Sequence, residues 1–498
     1  MKLFFNIYFI LIMICSYCYS QETISPNNYN FPLVKLKNEL INYTLYDNIK
    51  TRNKKKGFEL SLFSNIVLSS SHPNIDNHAE LYSAGKSTTL HSIRFAYKNN
   101  WLFLELEPYA LSSYHKHDET NVIKSYKYLN NQSNKVSFNS RQKGLKQSQL
   151  ILHYKGLGIG YGLINNWWGP GFHTSVVLSS NTQSQETYSV GTFKDIRIGK
   201  LFMGSKIIVI PYKSLNNNQL YFSGLSSHIK YKSNPEVEFG FHRVFLSGDF
   251  NYLSSETIST KKWTIIDAAN LVIEPLYGRD KKGLDYTTPG TPGFDDWDQI
   301  LNGYVRLFFP DDDLELYLSL SSDDSRANLT DLIAHWDHTI AYQIGLRKFN
   351  SNNRGSFFYG LEYFTNRVSN TFNPLFYRGS PNITNYYFYD RFDYSTYKGR
   401  RFGAHSGSSS SDLIAMIGLA DKKNILILSF NKEKHGIKYA TNPEIKTEIH
   451  LSYQRAIINE LSLSISYENE VINNYGFEMN NISTDNFIWL SIEYKLID

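Results

Sequence analysis

Apolar and polar residues alternate in repeated short runs along this chain of 498 residues, and the pattern constrains the fold more than any other feature. Leucine occupies every second position from Leu314 to Leu320, and residues 461–468 and 488–496 alternate in the same way. A period of two places side chains on opposite faces of a β-strand, so each run predicts a strand with one apolar and one polar face. Beyond residue 20, no run approaches the ~18 apolar residues that a membrane-spanning helix needs. The chain is therefore predicted to be all-β.

Residues 1–20 carry one charge, at Lys2, and a largely apolar run, which predicts a cleaved secretory signal peptide. Both cysteines, Cys15 and Cys18, fall inside it, so the mature chain is expected to have neither a disulfide nor a thiolate metal site. Aromatic residues make up 15% of the sequence and include 37 tyrosines. An exported, tyrosine-rich chain without a spanning helix crosses a membrane only as a closed β-barrel. A soluble sandwich or propeller, with the apolar faces on a shared core, is the alternative.

The chain is accordingly divided into a signal peptide (residues 1–20), an N-terminal helical, periplasmic segment (21–56) and an outer-membrane barrel with plug elements and extracellular loops (57–498). Apolar residues have helical spacing at 33–47 and again at 264–276, until Pro275 interrupts the second run. We expect these short helices to form a plug on the periplasmic side of the bore. Polar stretches such as residues 369–385 and 403–411 have the length of extracellular loops.

The segment Asn165 to Asn181, NNWWGPGFHTSVVLSSN, combines two tryptophans, a sharp turn and a short apolar strand. Glycine adopts backbone angles that other residues avoid and proline fixes one, so the turn should hold both indoles on a rigid support. We interpret it as a packed corner of the barrel, and a platform on which sugar rings stack is the alternative. The residues that shape the turn are Gly169, Pro170 and Gly171. The candidate ligand contacts are Trp167, Trp168 and Asn181.

Charged residues in the second half are predicted to form a network inside the bore: Asp323, Asp324, Arg326 and Arg347. Alternation places Arg347 on the strand face opposite to Ile344 and Leu346, and thus on the polar side. Unpaired charges inside a barrel destabilise it, so we expect ion pairs that fix the plug, with ligand contact as the alternative.

Evidence for catalysis or metal binding is weak in the sequence. His450 and Ser452 share one strand face, yet no nucleophile-elbow glycine pattern lies nearby. Asp311 to Asp313 follow Pro310 as a turn without calcium-loop spacing. Four metal-capable residues are interpreted as a solvated loop tip, with a shared cation as the alternative: His115, His117, Asp118 and Glu119. We therefore expect no enzymatic activity, no metal and no cofactor.

Three blocks, in the same order along the chain, resemble the Wzi family of capsule-assembly outer-membrane proteins. The first is the W-G-P-G segment with its short strand and Ser/Asn-rich end, at Trp168 to Asn181. The second is GYVRLFFPDDDLELYLSLSSDDSR, at Gly303 to Arg326, and the third is HTIAYQIGLRK, at His338 to Lys348. The resemblance implies an antiparallel barrel of about eighteen strands, occluded by helices on the periplasmic side, that binds surface polysaccharide and helps to organise the capsule.

The leading hypothesis is therefore a monomeric outer-membrane barrel that binds capsular or other surface polysaccharide and aids its assembly or anchoring. Outer-membrane lipid and the barrel-assembly machinery are its other expected partners. The net charge of +5 is spread along the chain and does not indicate nucleic acid. A substrate-specific outer-membrane channel and an outer-membrane phospholipase are the alternatives.

Overall fold

Eighteen antiparallel strands form a closed barrel, which confirms the fold class predicted from the alternation. The structure is a computed structural model and describes residues 57–70, 76–81, 87–114, 141–193, 195–214, 217–248, 250–253, 258–277, 297–323, 340–351, 355–367, 386–387, 392–421, 423–438, 440–458 and 460–497. In chain order the strands are β1 (Gly57–Ser69), β2 (Ser87–Lys98), β3 (Leu102–Leu106 and Pro108–Tyr114), β4 (Arg141–Leu145 and Ser148–Tyr154), β5 (Leu157–Ile164), β6 (Gln185–Thr192 and Ile196–Ile198), β7 (Leu201–Lys213), β8 (Gln219–Tyr231), β9 (Glu236–Gly248), β10 (Trp297–Phe309), β11 (Leu314–Asp323), β12 (Ile340–Ser351), β13 (Ser356–Thr365), β14 (Ser411–Ala420), β15 (Asn424–His435), β16 (Glu444–Ala456), β17 (Leu461–Asn473) and β18 (Ile482–Ile497).

Each strand pairs with its neighbours along the chain, and the last strand closes the ring on the first. Strand β18 pairs with β1 in antiparallel register, with Tyr494 opposite Leu62 and Trp489 opposite Val67. The alternating run at the end of the sequence is therefore the closing strand that the pattern predicted. Closure leaves no free sheet edge along this seam.

The two faces of the wall differ in polarity in the way that the alternation predicted. On β11, Leu318 and Leu320 are 43% and 54% exposed, whereas Ser319 and Ser321 between them are buried. Apolar side chains therefore point outwards and polar ones into the bore, as in a barrel whose wall faces lipid. Among the described residues, no helix combines the length and apolar character needed to cross a membrane.

The two ends of the barrel are unlike. Connections after the even-numbered strands have two to four residues, and those after the odd-numbered strands have five to 48. We call these the short-turn end and the long-loop end. Short turns on one side and long loops on the other are typical of outer-membrane barrels, where the long loops are extracellular.

Connections from the long-loop end also enter the bore. Residues 165–184, here called the tryptophan loop, join β5 to β6, and nearly all of them are buried. Residues 392–410, here called the serine-rich loop, lie between β13 and β14 and are buried from Arg400 onwards. The stretch 403–411 is thus a loop as expected, but it folds inwards, because its small residues fit among the buried side chains of the tryptophan loop.

The helix expected at residues 264–276 is present as α1 (Ile265–Tyr277), but it does not plug the bore. Its residues Ala268 and Leu271 pack on Val209 and Phe245 of the wall. Those wall residues alternate with the bore-lining Ile208, so α1 covers the outer face of the barrel. The prediction of α1 as a plug is therefore wrong, and what fills the bore among the described residues is loop.

Several predicted features lie outside the described residues. These are the signal peptide, the segment 21–56 with its expected helix, the cluster at residues 115–119, the loop expected at residues 369–385, and two members of the charge network, Asp324 and Arg326. They stay predictions.

Candidate functional site

The candidate site is the bore near the long-loop end, where three connecting segments interlock. The backbone N–H of Ala79 donates to the carbonyl of Ser180, 3.1 Å away, and the side chain of Arg400 donates to the carbonyl of Ala79. Glu80 accepts a hydrogen bond of 2.6 Å from the backbone N–H of Ser184. Segment 76–81 is thereby joined to both the tryptophan loop and the serine-rich loop.

Both tryptophans of the conspicuous segment lie inside the protein. Trp168 is 3% exposed, packs against Gly224 of β8 and lies over the ring of His242, with 5.5 Å between ring centroids. Trp167 is 5% exposed and its indole N–H donates to the carbonyl of Gly171 at 3.0 Å. Indoles covered in this way anchor a corner and present no open face to a sugar ring.

The turn after the tryptophans depends on its glycines. Gly169 has φ +133°, in the region that side chains avoid, so the chain turns there without strain. A Cβ on Gly171 would overlap with the side chain of Gln343 and the carbonyl of Thr174. The turn at Gly169 to Gly171 is therefore the rigid support that was predicted. It is rigid because Gln343 of the wall leaves no space beside Gly171.

A buried carboxylate on β13 holds this turn. Glu362 accepts hydrogen bonds from the backbone N–H groups of Phe172 (2.7 Å), His173 (3.3 Å) and Thr174 (2.7 Å). It also accepts from the Gln343 amide at 2.8 Å and from the Tyr317 hydroxyl. A charged acceptor that satisfies several buried N–H groups at once is a strong anchor. Sequence reasoning missed Glu362, because nothing local marks it among the many polar residues of the wall.

Asn181 ends the segment as a crosslink between loops. Its amide N–H donates to the carbonyl of Arg401 at 3.0 Å, and its amide oxygen accepts from the backbone N–H of Asn77 at 3.2 Å. Asn181 is fully buried. The structure thus places all three candidate ligand contacts in the packed interior, and their role as ligand contacts stays a prediction.

Around these contacts, apolar residues from the wall and the loops form one packed cluster. The Tyr387 hydroxyl donates to the carbonyl of Val176, and burial raises the pKa of Tyr387 above its ordinary value. The cluster includes Trp168, Val176, Val177, Leu178, Ile208, Ile210, Phe222, Val244, Leu246, Tyr386, Tyr387 and Phe402. It occupies the part of the bore bounded by β7 to β10.

Arg347 faces the bore and belongs to an ion-pair ladder across four neighbouring strands. Its Nη2 lies 2.5 Å from Oε1 of Glu315, whose Oε2 lies 2.7 Å from Nη2 of Arg306. Arg306 in turn pairs with Glu238 at 3.3 Å. The internal pairing expected for Arg347 is therefore present, with partners that the sequence analysis did not name.

Asp323 lies apart from that ladder, and the predicted network of Asp323, Asp324, Arg326 and Arg347 stays a prediction, because two of its members lie outside the described residues. Asp323 lies eight residues from Glu315 along β11, about 26 Å at the rise of an extended strand. Asp323 instead accepts a hydrogen bond from the backbone N–H of Tyr387 and so fixes the loops. The two acidic positions serve different contacts because they lie at opposite ends of the same strand.

A second group of charges lines the wall below the loops. Lys446 of β16 lies within ion-pair distance of Glu433 (3.2 Å), Glu448 (2.7 Å) and Glu470 (3.6 Å), and it also contacts Asp76. Nearby, His78 of segment 76–81 stacks on Trp489 with 4.3 Å between centroids. Burial, aided by the charge of Arg400, lowers the pKa of His78 to about 3, so this ring is neutral at physiological pH. In this part of the bore the polar side chains of the wall are in contact with one another and with segment 76–81.

Comparisons with known proteins show the fold. No protein-family model matches the chain, and no curated protein matches it. Among solved structures, the chain is similar to Wzi of Escherichia coli, described as an outer-membrane, carbohydrate-binding β-barrel involved in group 1 capsule assembly. That similarity has a TM-score of 0.59 at 10% identity and covers 90% of this chain and 87% of that one. OccAB4 of Acinetobacter baumannii follows with a TM-score of 0.42 at 9% identity, covering 89% of this chain and 99% of that one. At such identities the chain shares the outer-membrane barrel fold, and nothing finer is shown.

Proposed function

We propose that this protein is a monomeric outer-membrane barrel that binds capsular or other surface polysaccharide and aids capsule assembly or anchoring, without catalysis. The observation that carries the proposal is the loop-filled bore. The tryptophan loop, the serine-rich loop and segment 76–81 are tied to the wall and to one another by buried hydrogen bonds. A bore closed by structured loops suits a binding protein better than an open channel.

The fold similarity supports the same proposal. The similar structure with the higher TM-score is a carbohydrate-binding barrel involved in capsule assembly. The buried tryptophans offer no accessible stacking face, so the proposal assigns the glycan contacts to the outward surface of the long loops. A mild positive balance would aid binding of acidic glycans.

Basic side chains on the outer wall support the proposed contact with outer-membrane lipid. Lys432 and Lys434 alternate with the buried Asn431 and Glu433, so they point outwards close to the long-loop end of β15. Exposed cations at this level of a barrel would attract the phosphate groups of surface lipids.

The proposed binding is tested by deleting the gene and measuring retained against released surface polysaccharide, with and without the wild-type gene restored. We expect deletion to raise the released fraction, and restoration to reverse it. Purified barrel should also retain the polysaccharide in a direct binding assay. Unchanged retention in the deletion strain would remove the proposal.

Two matched variants distinguish a structural role of the tryptophans from direct contact with the polysaccharide. Trp168→Ala removes the buried indole, and Trp101→Ala removes one that is 57% exposed in the short turn after β2. We expect Trp168→Ala to weaken assembly and polysaccharide retention together, and Trp101→Ala to change neither. A Trp168→Ala barrel that assembles normally but no longer binds polysaccharide would instead make Trp168 a ligand contact.

A substrate-specific channel is the second candidate, because charged side chains line the wall of the bore. Ion conductance across planar bilayers distinguishes the two. We expect no steady large conductance from the purified barrel, and its appearance would favour transport. Phospholipase activity is excluded if the refolded protein hydrolyses no lipid.

A further inference from the structure

Two histidines and an aspartate meet where the two inner loops reach the wall. His173 follows the Gly-Pro-Gly turn, His405 lies in the serine-rich loop and Asp412 lies near the start of β14. One ligand atom from each lies within 4.8 Å of the others. The Nε2 atoms of His173 and His405 both lie 3.3 Å from Oδ2 of Asp412. The Oε1 of Glu433 lies 3.7 Å from Nε2 of His405.

We propose that His173, His405 and Asp412 bind a divalent transition metal ion, with Zn²⁺ as the best match, and that this ion joins the two loops inside the bore. In a tetrahedral zinc site with bonds of about 2.0–2.1 Å, neighbouring ligand atoms are about 3.3 Å apart. The two nitrogen–oxygen distances in the cluster have that length. Glu433 or a water molecule takes the fourth position.

The donor atoms determine the class of metal. Imidazole nitrogens combined with one or two carboxylates suit zinc and the neighbouring transition metals. Calcium and magnesium prefer shells made of oxygen, which two histidines cannot supply. The cluster is also buried, with His405 and Asp412 each 2% exposed, so its ligands are shielded from competing solvent.

Surrounding hydrogen bonds hold the ligands in place, as outer contacts do around metal sites. Asp412 accepts from the amide of Asn431 at 2.7 Å and from the hydroxyl of Thr174 at 2.8 Å. The Asn431 amide nitrogen also lies 2.9 Å from Nε2 of His173, and this contact must give way where that ring nitrogen binds the ion. Nδ1 of His405 contacts the Asn77 amide at 3.1 Å, which turns Nε2 towards the carboxylates.

Hydrogen bonds alone do not complete this cluster. Nε2 of His405 is buried 3.3 Å from Asp412 and 3.7 Å from Glu433, and neither contact has good hydrogen-bond geometry. A cation bound between these atoms would accept the lone pairs of the ring nitrogens and balance the negative charge of the carboxylates. Metal binding would place the ring proton of His405 on Nδ1, where the amide oxygen of Asn77 can accept it once the amide turns and gives up its 2.9 Å hydrogen bond to the carbonyl of His173.

Protonated histidines are the competing explanation. Burial opposes protonation of both rings, but the carboxylate of Asp412 outweighs it at His173, and those of Glu433 and Asp412 outweigh it at His405, so both pKa values are raised. The cluster therefore favours added positive charge. Metal and proton compete for the same nitrogen atoms.

The test uses the full-length mature barrel, refolded without an affinity tag, stripped with a chelator, loaded with Zn²⁺ and freed of excess metal by gel filtration. We expect one zinc ion per chain by elemental analysis, and a rise in the temperature at which the folded barrel unfolds on gels. Substitution with Co²⁺ should give the visible absorption of a tetrahedral site. Wild-type protein that folds but retains no stoichiometric zinc would overturn the proposal.

Variants locate the ion. His405→Gln and Asp412→Asn should lose stoichiometric zinc and the zinc-dependent rise in unfolding temperature. His242→Gln, at a buried bore histidine outside the cluster, should keep both, as should a His115→Ala/His117→Ala double variant. Zinc retained by folded His405→Gln, or lost in the double variant, would place the ion elsewhere. If the cluster variants fail to fold, the wild-type stoichiometry and the Co²⁺ spectrum still decide.

Discussion

The carboxylate of Glu362 is expected to control whether the tryptophan loop stays docked in the bore. Glu362→Gln keeps the shape of the side chain but replaces one acceptor oxygen by an N–H₂ group. If that group replaces Oε1, the backbone N–H of Thr174 loses its acceptor, and Gln343 can turn its amide oxygen inwards only by giving up its hydrogen bond to the carbonyl of Thr174. The substitution therefore affects the loop and leaves the wall strands paired.

The expected magnitude follows from these contacts. One buried N–H without an acceptor costs about 1–3 kcal/mol, and neutralisation weakens each of the two bonds from Phe172 and His173 by about 1 kcal/mol. The docked loop should thus lose about 3–5 kcal/mol. At about 1.4 kcal/mol per tenfold change, its opening becomes roughly two to three and a half orders of magnitude more frequent.

Hydrogen exchange followed by mass spectrometry measures this directly in peptides that cover residues 165–184. We expect faster exchange there, with unchanged protection of β7 to β9. Glu478→Gln, at an exposed glutamate between β17 and β18, is the matched control and should leave the loop protected. Equal protection in wild type and Glu362→Gln would refute the anchoring role of the carboxylate.

Three further predictions follow from the same interior. Arg347→Ala leaves Glu315 partly unpaired and should destabilise the barrel by about 3–5 kcal/mol, seen as a lower unfolding temperature on gels; an unchanged transition would count against the ladder. Gly171→Ala places a methyl group against Thr174 and should destabilise the docked loop by about 1–3 kcal/mol, measured by the same exchange assay. The pKa of His78 is about 3 in the folded protein, below the ordinary value of 6.5, so segment 76–81 binds more protons when it is undocked. Docking of this segment should therefore weaken as the pH falls from 6.5 towards 3, by up to about 1.4 kcal/mol per pH unit. Exchange in residues 76–81, compared at matched intrinsic rates, should show that loss in wild type and a smaller one in His78→Phe; equal acid sensitivity would exclude His78 as its source.

The barrel could be predicted from the sequence because its wall obeys a local rule. Each strand must show apolar residues to the outside at every second position, so Leu318 and Leu320 reveal a face without knowledge of their neighbours. The same rule correctly placed Arg347 inside. The rigid corner at Gly169 to Gly171 was also predictable, since glycine and proline act locally.

The filling of the bore was not predictable in the same way. Glu362, Asp412 and Arg401 contact the tryptophan loop from positions far along the chain, and no periodicity connects them to it. The position of α1 was predicted wrongly for a related reason. An amphipathic helix must cover an apolar surface, but its sequence does not tell whether that surface is the inner or the outer face of the barrel wall. His173 lies within the tryptophan loop, but its partners His405 and Asp412 are more than 200 residues away in the sequence and meet it only in the folded chain.

The anchoring of the tryptophan loop by late strands has a consequence for the order of assembly. Its bonds to Glu362 and to Asp412 connect residues 190 and 238 positions apart. A nascent barrel that has formed β1 to β12 therefore lacks Glu362 and Asp412, so residues 172–174 of the loop are without these two anchors, although segment 76–81 and Gln343 are already present. Contacts of such long sequence separation form slowly, because a long stretch of chain must be ordered first. The tryptophan loop can therefore make its full set of contacts only after β13 and β14 have joined the wall.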